Sequence, residues 1–107
     1  MISKNELRYG DLAEEMAEDL RALGHPQRIR IIDELRLQGE LTVSELVRRT
    51  RLPQSVVSLH LSKMKATHLV LSRREARQVV YWLSTEIAFV VAECFRRKYE
   101  AANAAAK

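Results

Sequence analysis

Cysteine is nearly missing from this chain: Cys94 stands alone, so no intrachain disulfide can form, and neither a CxxC pair nor a Cys/His metal-ligand spacing exists. Only three glycines and two prolines occur, which leaves little room for long loops, and no linker or internal repeat is present. The longest wholly apolar run, Ile87 to Ala92, is far too short to span a bilayer. The N-terminal segment carries acids where a signal peptide needs bases and an apolar core. These absences exclude a disulfide-stapled secreted scaffold and a membrane protein, and a cytoplasmic location is the expectation. No nucleophile, base and orienting group can be found together and no phosphate-cradling glycine loop exists, so nothing supports an enzyme or a cofactor.

What the chain does have is positive charge in one place. Of its 18 Lys and Arg residues, eight lie between Val47 and Arg77 against a single acid, Glu75, a local net of +7. The other 10 bases face 13 acids, a net of −3. A basic patch concentrated on a mildly acidic body is the electrostatic footprint of a nucleic-acid reader. At 107 residues the chain makes one small domain, burying roughly 65% of its unfolded surface. A monomer of that size is marginal, which favours assembly.

Leu7, Leu12, Met16, Leu20 and Leu23 recur at helical spacing over Lys4 to Leu23, opposite an acidic face of Glu14, Glu15, Glu18 and Asp19. Gly24 ends that helix, and Pro26 opens the next at a position where its missing N–H is harmless. There Ile29, Ile32 and Leu35 form the predicted buried face, with Ile31 beside it; Arg28, Arg30 and Arg36 are solvated charges or phosphate contacts. Thr42-Val43-Ser44-Glu45 is a capping box that starts a short helix, preceded by an extended residue or two at Leu41. Leu52-Pro53 then reopens a helix, and two short helices joined by a tight turn make a helix-turn-helix over residues 42–66.

In the second helix Val57, Leu61 and Met64 share one face, while Gln54, Ser55, Ser58 and Ser62, with Lys65 further along, fall on another. A small, polar, acid-free face suits a major groove. Its structural alternative is an ordinary solvated helix. The runs LVLSR and QVVYWL, separated by Arg74-Glu75-Ala76-Arg77, predict a hairpin over residues 69–83; its arginines suit the minor groove or its phosphates. From Thr85 to Tyr99 the helical pattern returns, with Ile87, Val91, Cys94 and Phe95 on one stripe, Cys94 as a small buried residue there, and a frayed tail from Ala101 to Lys107. The two terminal helices, residues 1–23 and 85–100, are the predicted dimer layer.

The segments ALGHPQRIRIIDEL, LTVSEL, LPQSVVSLHLSKM and HLVLSRREARQVVYWL together resemble the ArsR/SmtB family of bacterial winged-helix repressors from about Leu23 through Leu83. The resemblance implies a mainly α fold with a β-hairpin wing in α-α-α-α-β-β-α order, homodimeric, with a recognition helix at about Pro53 to Ala66. The implied function is repression by occupying a palindromic operator in double-stranded DNA. Where metal sensors of the family carry thiols, this chain has Thr42 and Ser44, and hydroxyls replace thiolates poorly toward soft metals. The last helix, Thr85 to Tyr99, has no His, and Cys94 has no partner for redox sensing. His68 replaces the usual Gly after the recognition helix, Ala76 stands at a wing position where Gly is common, and Pro53 where a Ser cap is common.

The expectation is therefore a repressor without a metal site. Gln54, Ser55, Ser58, Leu59 and Ser62 read bases, while Lys63, Lys65, Arg73, Arg74 and Arg77 meet backbone or minor groove. His60 packs inward in preference to touching phosphate. Leu12, Met16, Leu20, Ile87, Val91, Cys94 and Phe95 line the dimer interface. Two alternatives stand beside it. One is a metal- or thiol-responsive repressor using Cys94 or an intersubunit site; the other is a winged-helix module docking an acidic protein. An effector or protein partner of unknown identity is compatible with all three.

Overall fold

A computed structural model of the chain describes residues 4–106, with side chains described from Arg8 onward. Its elements in order are α1 (Lys4–Leu23), α2 (Pro26–Gln38), β1 (Leu41–Thr42), α3 (Val43–Thr50), α4 (Gln54–Ala66), β2 (Val70–Glu75), β3 (Gln78–Leu83) and α5 (Glu86–Ala106). The mainly helical fold with a hairpin wing thus follows the sequence, and the extended residues at Leu41 form a third strand. The antiparallel sheet runs β1-β3-β2, with Thr42 opposite Val80 and Val80 opposite Arg73.

The helix ends are built as the sequence requires. His25 caps α2 through Nδ1, which accepts from the Gln27 N–H at 3.1 Å, and Pro26 takes the first helical position. Gly39 closes α2 with φ +86°, a left-handed backbone that glycine adopts without strain. At α3 the capping box is complete: Thr42 Oγ1 accepts from the Glu45 N–H at 3.2 Å, and Glu45 Oε1 accepts from the Thr42 N–H at 3.0 Å. These bonds hold the Glu45 carboxyl below its ordinary value.

Helix α2 runs through the centre, touching α3, α4, α5 and β3. Its buried stripe is Ile31, Ile32 and Leu35, so Ile32 and Leu35 are buried as expected while Ile29 is only half-buried; Ile31, roughly 200° around the helix from Ile29, takes its place. Against it α5 buries Ala88 and Ala92 completely. Two alanines four residues apart let the helix backbones approach closely, which pushes the bulkier Ile87, Val91 and Phe95 to half-burial at the edges. Cys94 is exposed in the single chain, not buried as expected. Beyond the core, α5 remains helical through Ala106 where fraying was expected; Ala is the strongest helix former, and Ala101-Ala102-Asn103-Ala104-Ala105-Ala106 supplies five of them. A buried ion pair ties α2 to α5. The Asp33 carboxylate is buried and receives Arg96 Nε at 3.1 Å and Nη2 at 2.5 Å, a two-pronged contact that compensates its desolvation.

The hairpin loop is shorter than the four residues expected. Glu75 pairs with Gln78, so β2 continues through Glu75 and only Ala76 and Arg77 form the turn. Ala76 takes φ +56° and His68 φ +63°, conformations disfavoured by about 1–2 kcal/mol for residues with a Cβ. Ala76→Gly should stabilise the protein by roughly 0.5–1 kcal/mol, the relieved strain less the added freedom of the unfolded chain; urea denaturation of both proteins measures it, and an unchanged or lowered midpoint contradicts the strain.

Candidate nucleic-acid interface

Three residues, Arg51 to Pro53, join α3 to α4. Arg51 turns the chain with φ +59° while its N–H caps α3 on the Val47 carbonyl, and the buried Thr50 hydroxyl donates to the Leu46 carbonyl at 2.6 Å and accepts from the Leu52 N–H at 3.3 Å. Leu52 is buried, so the turn is anchored at its middle. Pro53 is the N-cap of α4 rather than its first residue, and it offers no side-chain cap.

Helix α4 inserts Val57, Leu61 and Met64 into the core, as the spacing predicts, each without exposure. Opposite them Ser55, Leu59 and Ser62 are exposed, with Lys63 and Lys65 exposed towards its C-terminal end. Gln54 is exposed in the first turn, and Ser58 is half-buried on the flank. Of the residues expected to read bases, Gln54, Ser55, Leu59 and Ser62 are therefore exposed on one helix with Ser58 at the edge, and none of them is acidic.

His60 takes the predicted inward position, 5% exposed. Arg28 Nε donates to His60 Nδ1 at 3.0 Å, and His60 Nε2 lies 2.8 Å from Gln27 Oε1. A guanidinium can only donate, so Nδ1 must be the bare nitrogen and Nε2–H must donate to Gln27; the geometry therefore specifies one neutral tautomer. Burial pushes the His60 pKa below its ordinary value, and the charges of His25, Arg28 and Lys63 push the same way. Nothing in the sequence pattern singled out Gln27 or Arg28 as partners of a residue over 30 positions away. Arg28 also donates to the Ala22 carbonyl at 2.8 Å, and Arg30 donates to the Thr50 carbonyl; both arginines brace the fold, and Arg36 reaches Glu93 at 4.0 Å.

On the wing, Arg74 and Arg77 are exposed and, among the described residues, form no ion pair. Arg73 differs: its two terminal nitrogens meet the Glu40 carboxylate at 2.8 Å each, and Nη2 also meets Glu75 at 2.9 Å. Arg73 lies in β2, within the strand run expected to hold it, and Arg74 joins it there instead of in the loop. Of the terminal-helix residues expected at a dimer interface, Leu12 and Met16 are 53% exposed, Leu20 is 47% exposed and Cys94 is exposed, while Ile87, Val91 and Phe95 are half-buried. Leu7 falls outside the described side chains. For metals, the sensor-motif position does not fit, since the Thr42 hydroxyl is spent on the α3 cap; among the described residues no cluster of three or more His, Cys, Asp or Glu could hold an ion. No helix among the described residues is long and apolar enough to cross a membrane.

Residues 25–72 match the family described as bacterial regulatory protein, arsR family. The chain is 38% identical over 78 residues to the transcriptional repressor PagR of Bacillus anthracis, covering 73% of this chain and 76% of PagR. Among solved structures, reduced HlyU of Vibrio cholerae superposes with a TM-score of 0.76 at 33% identity, over 86% of this chain and 96% of that one. A homodimeric winged helix-turn-helix DNA-binding domain from Mycobacterium bovis superposes with a TM-score of 0.69 at 28% identity, over 95% and 88%. Across these and other curated relatives the chain spans 54 to 88% of their own length.

The buried neutral His60 sets a pH dependence with a definite sign. The unfolded chain takes up a proton near pH 6.5, the ordinary His value, while the folded His60 resists it. Below that pH the unfolded state therefore binds more protons, and stability falls. Denaturation midpoints should drop as pH is lowered from roughly 7 to 5, with a smaller drop in His60→Asn; equal slopes in the two proteins contradict the assignment.

Proposed function

The chain belongs to the arsR family of bacterial regulatory proteins, and from that premise we propose that it is a sequence-specific, cytoplasmic DNA-binding regulator that acts as a homodimeric repressor at a palindromic operator. The observation that carries the proposal is the open face of α4, polar and free of acids, ending in Lys63 and Lys65, on a helix whose opposite face is locked in the core. A helix held that rigidly and presented that openly can enter a major groove.

In this reading Gln54, Ser55, Ser58 and Ser62 offer donors and acceptors to base edges, with Gln54 able to pair two-pronged with adenine, and Leu59 meets thymine methyl groups. Lys63, Lys65, Arg74 and Arg77 neutralise phosphates or enter the minor groove. The exposed apolar side chains Leu12, Met16 and Leu20 on α1, with Ile87, Val91, Cys94 and Phe95 on α5, supply the face that a second copy covers. The homodimeric Mycobacterium bovis domain supports that assembly. A two-fold dimer places two α4 helices about one DNA turn apart, so half-sites about 10 base pairs apart are expected. For the direction of control, PagR and several other relatives are repressors, whereas HlyU of Vibrio cholerae is an activator; repression is the direction proposed. A protein-docking role is less favoured, because the open face of α4 has no aromatic anchor.

Selection of bound duplexes from a random library identifies the operator. On it, affinity should fall steeply with salt as condensed counterions are released. Gln54→Ala should cost about 1–3 kcal/mol at one base pair of each half-site while leaving non-specific binding unchanged. Binding that is insensitive to salt, or discrimination unaltered in Gln54→Ala, contradicts base reading by this face.

A further inference from the structure

The wing's own geometry separates Arg73 from its neighbours. The sheet aligns Arg73 on β2, Val80 on β3 and Thr42 on β1 in one row. The Arg73 side chain crosses that row, because its partner Glu40 stands just before β1, on the far side of β3. On the way its guanidinium lies 5.3 Å from the centre of the Trp82 ring, and it receives a second carboxylate from Glu75 at 2.9 Å. Two carboxylates around one guanidinium leave a local charge of −1, and three of its five N–H donors are taken. Glu40 is held below the ordinary carboxyl range by the same bonds, and Arg73 is pushed further toward its charged form. Such a group has little left to offer a phosphate.

We infer that Arg73 is a positioning residue rather than a DNA contact: with Glu40 and Glu75 it ties the wing across the sheet and sets the angle at which Arg74 and Arg77 are presented. The inference rests on the DNA-binding reading above. A ribbon of two strands with a two-residue loop twists easily when unsupported, and β1, only two residues long, supplies little backbone restraint. A two-pronged Arg–carboxylate contact fixes direction as well as distance, so the tie supplies the restraint that the short strand cannot.

The test uses the full chain, the selected duplex, and the variants Glu40→Gln, Arg73→Gln and their double. Loss of an acid beside a DNA-binding face ordinarily tightens binding; if Glu40 holds the wing's orientation, Glu40→Gln weakens it instead. The expected result is a loss of roughly tenfold in each single variant, no further loss in the double, and thermal midpoints close to the parent. Hydroxyl-radical protection of the flanking minor groove should fade while guanine N7 protection in the major groove persists, a separation that general destabilisation does not produce. Tighter binding by Glu40→Gln, or an unaffected Glu40→Gln beside a weakened Arg73→Gln, overturns the inference and makes Arg73 a contact in its own right. A parent chain that binds no selected duplex overturns the DNA-binding reading itself, and the wing tie with it.

Discussion

Helix α4 is held from behind by Val57, Leu61 and Met64 in the core and by one buried imidazole whose two hydrogen bonds fix its tautomer. His60 is the one polar group that α4 sends into the interior, and it is tolerated there because α2 supplies a donor on one ring nitrogen and an acceptor on the other. The same helix reaches the end of α3 through Arg30 and the terminal helix through Asp33. Each of these ties costs desolvation that only good geometry offsets, so together they restrict the ways α3, α4 and α5 can be arranged around α2. A reader of base edges needs that restriction, since a helix free to rock cannot discriminate patterns of donors and acceptors.

Much of this was legible in the residues because it is local. A capping box, a proline at a helix start and a three-four spacing of apolar side chains each act within about one or two turns, and the structure reproduces α3, the buried stripe of α4 and the limits of β3. The failures have a common cause in tertiary contact. The core register of α5 is set by Ala88 and Ala92, which a search for large apolar residues passes over. Ile29 loses its place to Ile31 because the direction of the core cannot be read from α2 alone. Of the candidate interface, the open face of α4 was visible as a pattern. The distinction between Arg73 and Arg74 was not, since it depends on a glutamate 33 positions away.

Charge follows the same division of labour. The acids of α1 and the bases between Val47 and Arg77 are segregated along the chain, and the fold spends several arginines outside that stretch on internal bonds: Arg28, Arg30 and Arg96 serve the scaffold. Within the basic stretch Arg48 and Arg51 beside α3, Lys63 and Lys65 on α4, and Arg74 and Arg77 on the wing are exposed and, among the described residues, outside any ion pair. This accounts for a chain whose modest net charge understates the field it can present to a polyanion.

Thr42 occupies an unusual junction. It is a rung of the sheet opposite Val80, the residue that begins α3 with its hydroxyl, and the recipient of the Glu45 carboxylate at its N–H. The ribbon and the reading helices therefore share a residue instead of merely touching. Such sharing merges what would otherwise be two independently opening units into one cooperative unit, so amide protons on the wing side of Val80 and at the start of α3 should exchange with solvent through the same opening event. A domain this small thereby gains a single melting unit out of the helix-turn-helix and the wing.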